Sequence, residues 1–308
     1  MGAATLEKII KPRPSLEELA ECGWRYVEET LPDGRVDYSM RPLTEEEYLH
    51  PQEGDHMPTS AFHAKTIQRA YELLTRRYSD DPTVCVFTDL LIRWDIPELG
   101  DHSPDVTVIF NVARQDEGRE RFDVRLEGAR PSLLIEVVSG RYRAADRETK
   151  VEHYERARVQ EYIILDRRQR RGQITYEALG YRLARGRYAP IAPDDQERIL
   201  CRTVGLYLSL RDGELVIEDA ATGERLLTSK ELAHLAKAER QRAEDERQRA
   251  EDEHRRAEVE RQRAEAERQR TEEERQRAEV EHQRAESAEA EATRLRAELN
   301  ELVRRTSN

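Results

Sequence analysis

Cysteine is scarce: the 308 residues hold three, Cys22, Cys85 and Cys201, far apart and without metal-ligand spacing. That excludes a disulfide framework and fits a reducing compartment, so the expected location is the cytoplasm. A surplus of positive charge is also missing. Lys and Arg number 52 against 64 Asp and Glu, a formal net charge of -12. Nonspecific affinity for nucleic acid comes from basic groups that release phosphate counterions, so a protein held on DNA by charge alone is excluded and any contact must be local. Long apolar runs are absent as well. The opening MGAATLEKIIKPRP has no apolar stretch of secretory-signal length, no later run approaches bilayer length, and Leu6 stands where a myristoylation signal needs Ser or Thr. No membrane partner is expected.

Glycine and proline vanish altogether from Glu239 to Ser287, where the chain repeats a seven-residue unit close to ERQRAED. The repeat predicts a long helix, capped at Thr228 or Ser229. Taken over residues 231–302 at ~1.5 Å per residue, it is roughly 100 Å long. Residues 231–308 carry 18 basic and 22 acidic side chains, leaving 34 and 42 for residues 1–230, so both parts are acidic. Each heptad offers one small apolar residue (Ala243, Ala250, Ala257, Ala264, Ala278, Ala285, with Thr271 once), whereas a firm coiled coil needs two apolar positions. Val259, Ala266 and Val280 supply part of a second stripe, and Leu295, Leu299 and Leu302 make the far end more apolar. Two states stay open: a homodimer through this helix, and a solvated single helix supported by acid-first pairs such as Asp245 with Arg249 and Asp252 with Arg256.

The rest divides into a leader, 1–24, and a domain, 25–228, ahead of the helical segment 229–308. Ser15 and Glu18 form a capping box in the leader. Arg25 to Met40 reads as a hairpin around Pro32-Asp33-Gly34, Thr44 to Glu47 as a second capping box, and Ala61 to Tyr78 as a helix with Ile67, Ala70, Tyr71 and Leu74 on one face. Val84 to Trp94, Val106 to Phe110 and Leu133 to Val138 read as neighbouring strands, Ala144 to Ala157 as a helix and Tyr162 to Leu165 as a buried strand. Pieces around Ile174 to Ala178, Tyr181 to Tyr188, Val204 to Leu210 and Leu215 to Glu218 read as edge strands or hairpins.

Asp105 opens one apolar strand and Glu136 sits in the middle of another, SLLIEVVS. A buried ionised carboxylate is normally paired, protonated or metal-bound. Glu136 alone fits equally an arginine partner or a solvent-facing edge. With Asp105 on the adjacent strand, however, two carboxylates can share a hard cation such as magnesium, or manganese in its place. Lys150 lies four residues after Asp146 and four before Tyr154, placing all three along one helical face. Two carboxylates and a lysine suit phosphodiester hydrolysis: a cation to neutralise phosphate and acidify bound water, an ammonium to orient that water. His63 on the preceding helix comes near this face, and Glu72 is a weaker candidate farther along it. Arg167, Arg168, Arg170 and Arg171 form the one dense basic cluster of the domain, readable as backbone-phosphate contacts or as a solvated hairpin tip.

Pro104-Asp105 and Glu136 resemble the signature of the PD-(D/E)xK nucleases, with Val138 standing where that pattern has lysine. Within that superfamily the chain resembles the Uma-two family of restriction endonucleases, through Pro104-Asp105, Glu136-Val137-Val138-Ser139, Asp146, Lys150, Tyr154, Glu161-Tyr162 and Asp166. The resemblance spans about residues 25–220, including Pro42-Leu43-Thr44 and His50-Pro51-Gln52-Glu53-Gly54. It implies a restriction-endonuclease-like α/β fold, a mixed sheet flanked by helices. It further implies that Asp105, Glu136 and the Val137 carbonyl bind the metal, that Lys150 positions the attacking water in place of residue 138, and that Asp146 and Tyr154 support the helix face. The expected function is magnesium-dependent endonucleolytic cleavage of DNA. The alternative, from the acidic domain, Val138 and the long helix, is a catalytically silent nuclease fold acting as a scaffold.

Overall fold

The computed structural model describes residues 13–31, 33–113 and 118–306. It separates into two compact units, Met1–Lys230 and Glu231–Asn308. In the first, α1 (Leu16–Cys22) is capped by Ser15, whose side chain accepts the Glu18 N–H. Residues 1–12 of the expected leader lie outside the described residues. Next come β1 (Trp24–Thr30) and β2 (Val36–Pro42), the expected antiparallel hairpin; its Pro32 lies outside the described residues, while Gly34 takes the positive φ of 81° that the turn needs. Then α2 (Glu45–Leu49) starts at a complete capping box between Thr44 and Glu47, and α3 (Ala61–Arg77) at the Ser60 cap.

The apolar stretch 84–94 is not one strand. It breaks at Asp89, φ 50°, into β3 (Cys85–Phe87) and β4 (Leu91–Arg93). After β5 (Val106–Ile109), β6 (Arg121–Asp123) pairs in parallel with β4, and α4 (Val124–Glu127) closes with Gly128 in the left-handed region. β7 (Pro131–Val137) follows. The expected helix over 144–157 begins as a π turn, Ala145–Thr149, and only then becomes α5 (Lys150–Arg156). β8 (Glu161–Arg170) and β9 (Gln173–Ala184) extend well past the short pieces read from sequence, and β10 (Arg187–Pro190) closes the main sheet. Its order is β10-β9-β8-β7-β5-β3, with β7 and β8 parallel and the other neighbours antiparallel.

β9 is one internal strand because Gly180 is a site of close approach rather than a turn. A Cβ there would lie 2.6 Å from Ile199 Cγ2 and 3.1 Å from Ile163 Cδ1. Ile199 belongs to β11 (Ile199–Cys201), which with β12 (Leu206–Arg211) and β13 (Glu214–Asp219) forms a separate three-stranded sheet.

Alternation along the strands divides the core. Leu133, Ile135 and Val137 face α3 and the small sheet, packing with Leu73, Leu74, Leu206 and Ile217. Leu134 and Val138 face the other way, with Tyr154, Tyr162, Phe122 and Ile92. Each such large apolar side chain contributes about 1.5–3 kcal/mol on burial. The mixed α/β architecture matches the sequence reading, with one correction: a second sheet, as well as a helix, covers one face.

In the second unit, α6 (Ser229–Thr306) runs unbroken for 78 residues, roughly 115 Å at ~1.5 Å rise. Its ion pairs include Arg247–Glu251 at 3.1 Å and Arg294–Glu298 at 3.2 Å. These are base-first pairs. Asp252 reaches Arg255 at 3.7 Å rather than Arg256, and Asp245 accepts from Gln241. No helix among the described residues is long and apolar enough to cross a membrane.

Candidate active site

The antiparallel pairing of β5 with β7 sets Val106 opposite Ile135, so Asp105, immediately before β5, arrives beside Glu136 and Val137. Asp105 is fixed there by a 2.6 Å hydrogen bond that the Val137 N–H donates to its Oδ2. Glu136 alternates with Ile135 and Val137 and therefore points to the opposite sheet face, the one covered by α5. It is not on an edge, and its partner is not an arginine. At 1 % exposure it sits in a central strand, with Lys150 Nζ 3.0 Å from its Oε2 and the Tyr154 hydroxyl donating to its Oε1 at 2.8 Å.

The π turn sets the other half. Lys150 N–H bonds back five residues to the Ala145 carbonyl, the pattern of a π turn. The Asp146 carbonyl meanwhile accepts from the Tyr162 hydroxyl at 2.8 Å. Around this widened turn Asp146 and Lys150 still meet: Lys150 Nζ is 3.0 Å from Asp146 Oδ1. Asp146 does not pair with Arg147, which goes instead to Asp166 and Glu177. The remaining lone pairs of Asp146 accept the Ser139 N–H at 3.2 Å and the Tyr48 hydroxyl at 2.8 Å. His63, near the start of α3, places Nε2 3.2 Å from Asp105 Oδ2. Asp105, Glu136, Asp146, Lys150, Tyr154 and His63 thus form one connected cluster.

Electrostatically the cluster holds more negative than positive groups. Burial pushes the Glu136 carboxyl up; Lys150 pulls it down, while Asp105 and Asp146 push it further up. Asp146 is likewise raised by burial, against the pull of Lys150. Burial disfavours the Lys150 ammonium, yet Asp146 and Glu136 outweigh it and hold the lysine firmly cationic. His63 loses to burial and gains more from its hydrogen bond to Asp105 and the nearby charges, so its pKa is raised. Burial holds Tyr48, Tyr154 and Tyr162 well above the ordinary phenol value, which keeps them neutral donors.

Two site residues escaped the sequence reading. Tyr48 lies 98 positions from the carboxylate it bonds, and its ring centroid is 4.7 Å from Lys150 Nζ. The capping box located its helix, but no local pattern ties residue 48 to residue 146. Asp89 is pushed up to about 6 by desolvation and by Asp105. Its side chain is open to water, which screens that effect. Its signal was present: Thr88-Asp89 interrupts an apolar run with two polar residues. Asp89, Asp105, His63, Tyr48 and Lys150 all line a cleft of 940 Å³.

Other candidates sit elsewhere. Glu72 accepts the Ser229 N–H at 2.6 Å and does not line the cleft. Buried Asp166 is held by Arg143, Arg147 and Arg168, and Arg168 also reaches Glu177 at 3.3 Å. Arg170 and Arg171 are exposed at the β8–β9 turn, with Arg171 at φ 49°; Arg167 is half-buried. None of the four lines the cleft.

Comparison with known proteins adds the following. A family model described as "Uma2: Putative restriction endonuclease" matches residues 47–211, more than half the chain and a span containing every site residue above. Among solved structures the chain is similar to "a putative nuclease belonging to DUF820 from Anabaena variabilis ATCC 29413", with 14% identity, a TM-score of 0.33, and coverage of 59% of this chain and 81% of that one. No curated protein matches.

Proposed function

The chain belongs to the Uma2 family of restriction-endonuclease-type proteins, and from that membership we propose that it is a magnesium-dependent endonuclease that hydrolyses DNA phosphodiester bonds by direct attack of water. The observation that carries this reading is the position of Lys150. Its Nζ lies 3.0 Å from Glu136, so the helix supplies the ammonium that Val138, a buried apolar residue, cannot.

The donor set suits magnesium. Asp89, Asp105, Glu136 and Asp146 gather hard oxygen donors around Lys150 and His63, which is the environment a small divalent cation relieves. Asp105, Glu136 and the Val137 carbonyl are its proposed ligands. When bound, the ion would neutralise a phosphate oxygen and lower the pKa of its water. Lys150 then orients the water and faces charge developing on the phosphate, while Tyr154 fixes Glu136. Tyr48 and Ser139 fix Asp146, which in turn aims Lys150. His63, 3.2 Å from Asp105, holds that carboxylate in place. Arg167, Arg170 and Arg171 are left to meet backbone phosphates; Arg168 is engaged by Asp166 and Glu177.

The test is cleavage of supercoiled and single-stranded DNA with magnesium or manganese, by the wild type, Glu136→Gln and Lys150→Met. Metal-dependent nicking lost in both variants is the expected result. Cleavage no greater than the variants' background on any of these substrates would overturn the enzyme reading and favour the scaffold one.

A further inference from the structure

Beside the Tyr154 ring, three histidines from separate segments converge. His50 follows α2, His102 lies in the loop leading to Asp105, and His153 is on α5. One ring nitrogen from each lies within 4.8 Å of the other two. The rings interlock: His102 contacts both His50 and His153 edge-on, with centroids at 4.8 and 5.0 Å, and lies 5.3 Å from the Tyr154 ring. The main chain makes room for this arrangement. A Cβ at position 100 would come within 2.4 Å of His50 Nδ1, so the loop can wrap the ring only with glycine there.

We propose that His50, His102 and His153 form a second metal site, separate from the carboxylate cluster, which takes a borderline divalent transition metal such as zinc through imidazole nitrogens. The donors decide the class of ion. Imidazole suits zinc, whereas magnesium prefers the oxygens of Asp105 and Glu136. Zinc–nitrogen bonds of ~2.0–2.1 Å in a tetrahedron set nitrogens roughly 3.3 Å apart. His102 Nε2 and His153 Nδ1 are 2.9 Å apart and the farthest pair within 4.8 Å, so small ring rotations close the site. His50 Nδ1 is 3.0 Å from the Asp101 carbonyl, which only accepts, so that nitrogen carries the proton and Nε2 keeps its lone pair. A metal-bound histidine is commonly oriented by such a carbonyl. His50 and His153 are half-buried, which leaves the fourth position to water, while His102 is fully buried.

The proton balance follows from the hydrogen bonds. Trp94 Nε1–H donates to His102 Nδ1 at 2.9 Å, so neutral His102 is protonated on Nε2 and donates to His153 Nδ1. The ion takes the place of that shared proton, which leaves to solvent. His102 then binds as an imidazolate with the Trp94 bond intact. The site would tie together the three segments that deliver Tyr48, Asp105 and Lys150.

The experiment is calorimetric titration of the chelator-treated full chain with zinc, repeated in excess magnesium, together with the visible absorption of the cobalt-loaded wild type. One zinc per chain is expected beyond any at the carboxylate site, retained in Glu136→Gln and in magnesium, and weakened more than ~100-fold in His50→Gln and in His153→Gln. Cobalt should give the intense visible bands of a tetrahedral nitrogen site, a readout that needs no variant. Absence of those bands, or zinc affinity unchanged in both histidine variants, or zinc lost in Glu136→Gln, would each overturn the proposal.

Discussion

Replacing Lys150 by methionine keeps the length of the buried stem and removes the terminal ammonium, its charge and its donors together. In the wild type the Nζ is 3.0 Å from both Glu136 Oε2 and Asp146 Oδ1, and the lysine, glutamate and aspartate side chains are 5 %, 2 % and 0 % exposed. Each contact is a gross attraction of about 5 kcal/mol at an effective dielectric of ~20. Desolvation of the lysine offsets much of the sum. Removing one partner of such a buried group costs about 3–5 kcal/mol, a large part of the ~5–15 kcal/mol that holds a domain folded. The pH dependence has a definite sign. Both carboxyls are already raised above their unfolded values, and Lys150 is the strongest influence lowering each of them. Without it they rise further. Because Glu136 is already raised to about 8 in the wild type, a further rise makes the variant's deficit grow as pH climbs through 8 and leaves it smallest on the acid side, where both proteins hold that carboxyl protonated. Urea unfolding of metal-free protein measures this directly, followed by tryptophan emission, since Trp24 and Trp94 both report on the first unit. A variant within ~0.5 kcal/mol of wild type at pH 8, or a deficit that grows on acidification, would refute the reasoning.

Tyr154→Phe removes the hydroxyl bonded to Glu136 and should cost about 1.5–3 kcal/mol of stability if that carboxylate is charged, less if it is protonated, readable in the same urea titration. The raised pKa of His63 means that its pairing with Asp105 adds stability fully present below the unfolded value of ~6.5 and lost as pH rises through the higher folded value. His63→Asn should flatten that fall in the metal-free protein; an unchanged slope between pH 6 and 9 argues against the pair. Tyr48→Phe leaves Asp146 with one acceptor bond fewer and should lower kcat of metal-dependent cleavage with little change in KM. Along α6, the exposed Val259, Val280, Leu295 and Leu299 supply a pairing surface, so the full chain should sediment as a dimer that Leu295→Lys with Leu299→Lys dissociates. A wild-type monomer at all concentrations would show that α6 stands as a single helix.

The long helix was legible because a seven-residue repeat without Gly or Pro is a local property, as were the α1 and α2 caps and the carboxylate inside SLLIEVVS. Such features depend on neighbours within a few residues, and the chain states them directly. The spacing of Asp146, Lys150 and Tyr154 likewise announced one helical face. Sequence could not show that this face opens with a π turn, whose Asp146 carbonyl accepts from the Tyr162 hydroxyl on another strand. Nor could it show that Gly180 marks contact with Ile199 rather than a bend, or that Arg168 is bound to Asp166. Each depends on which distant segments pack together. Local periodicity fixed most of the elements and named two carboxylates and a lysine. Tertiary packing alone decided that β5 and β7 run side by side, that Tyr48 reaches Asp146 across 98 positions, and that three widely separated histidines meet, since those outcomes are set by burial and pairing between residues that no sequence window contains.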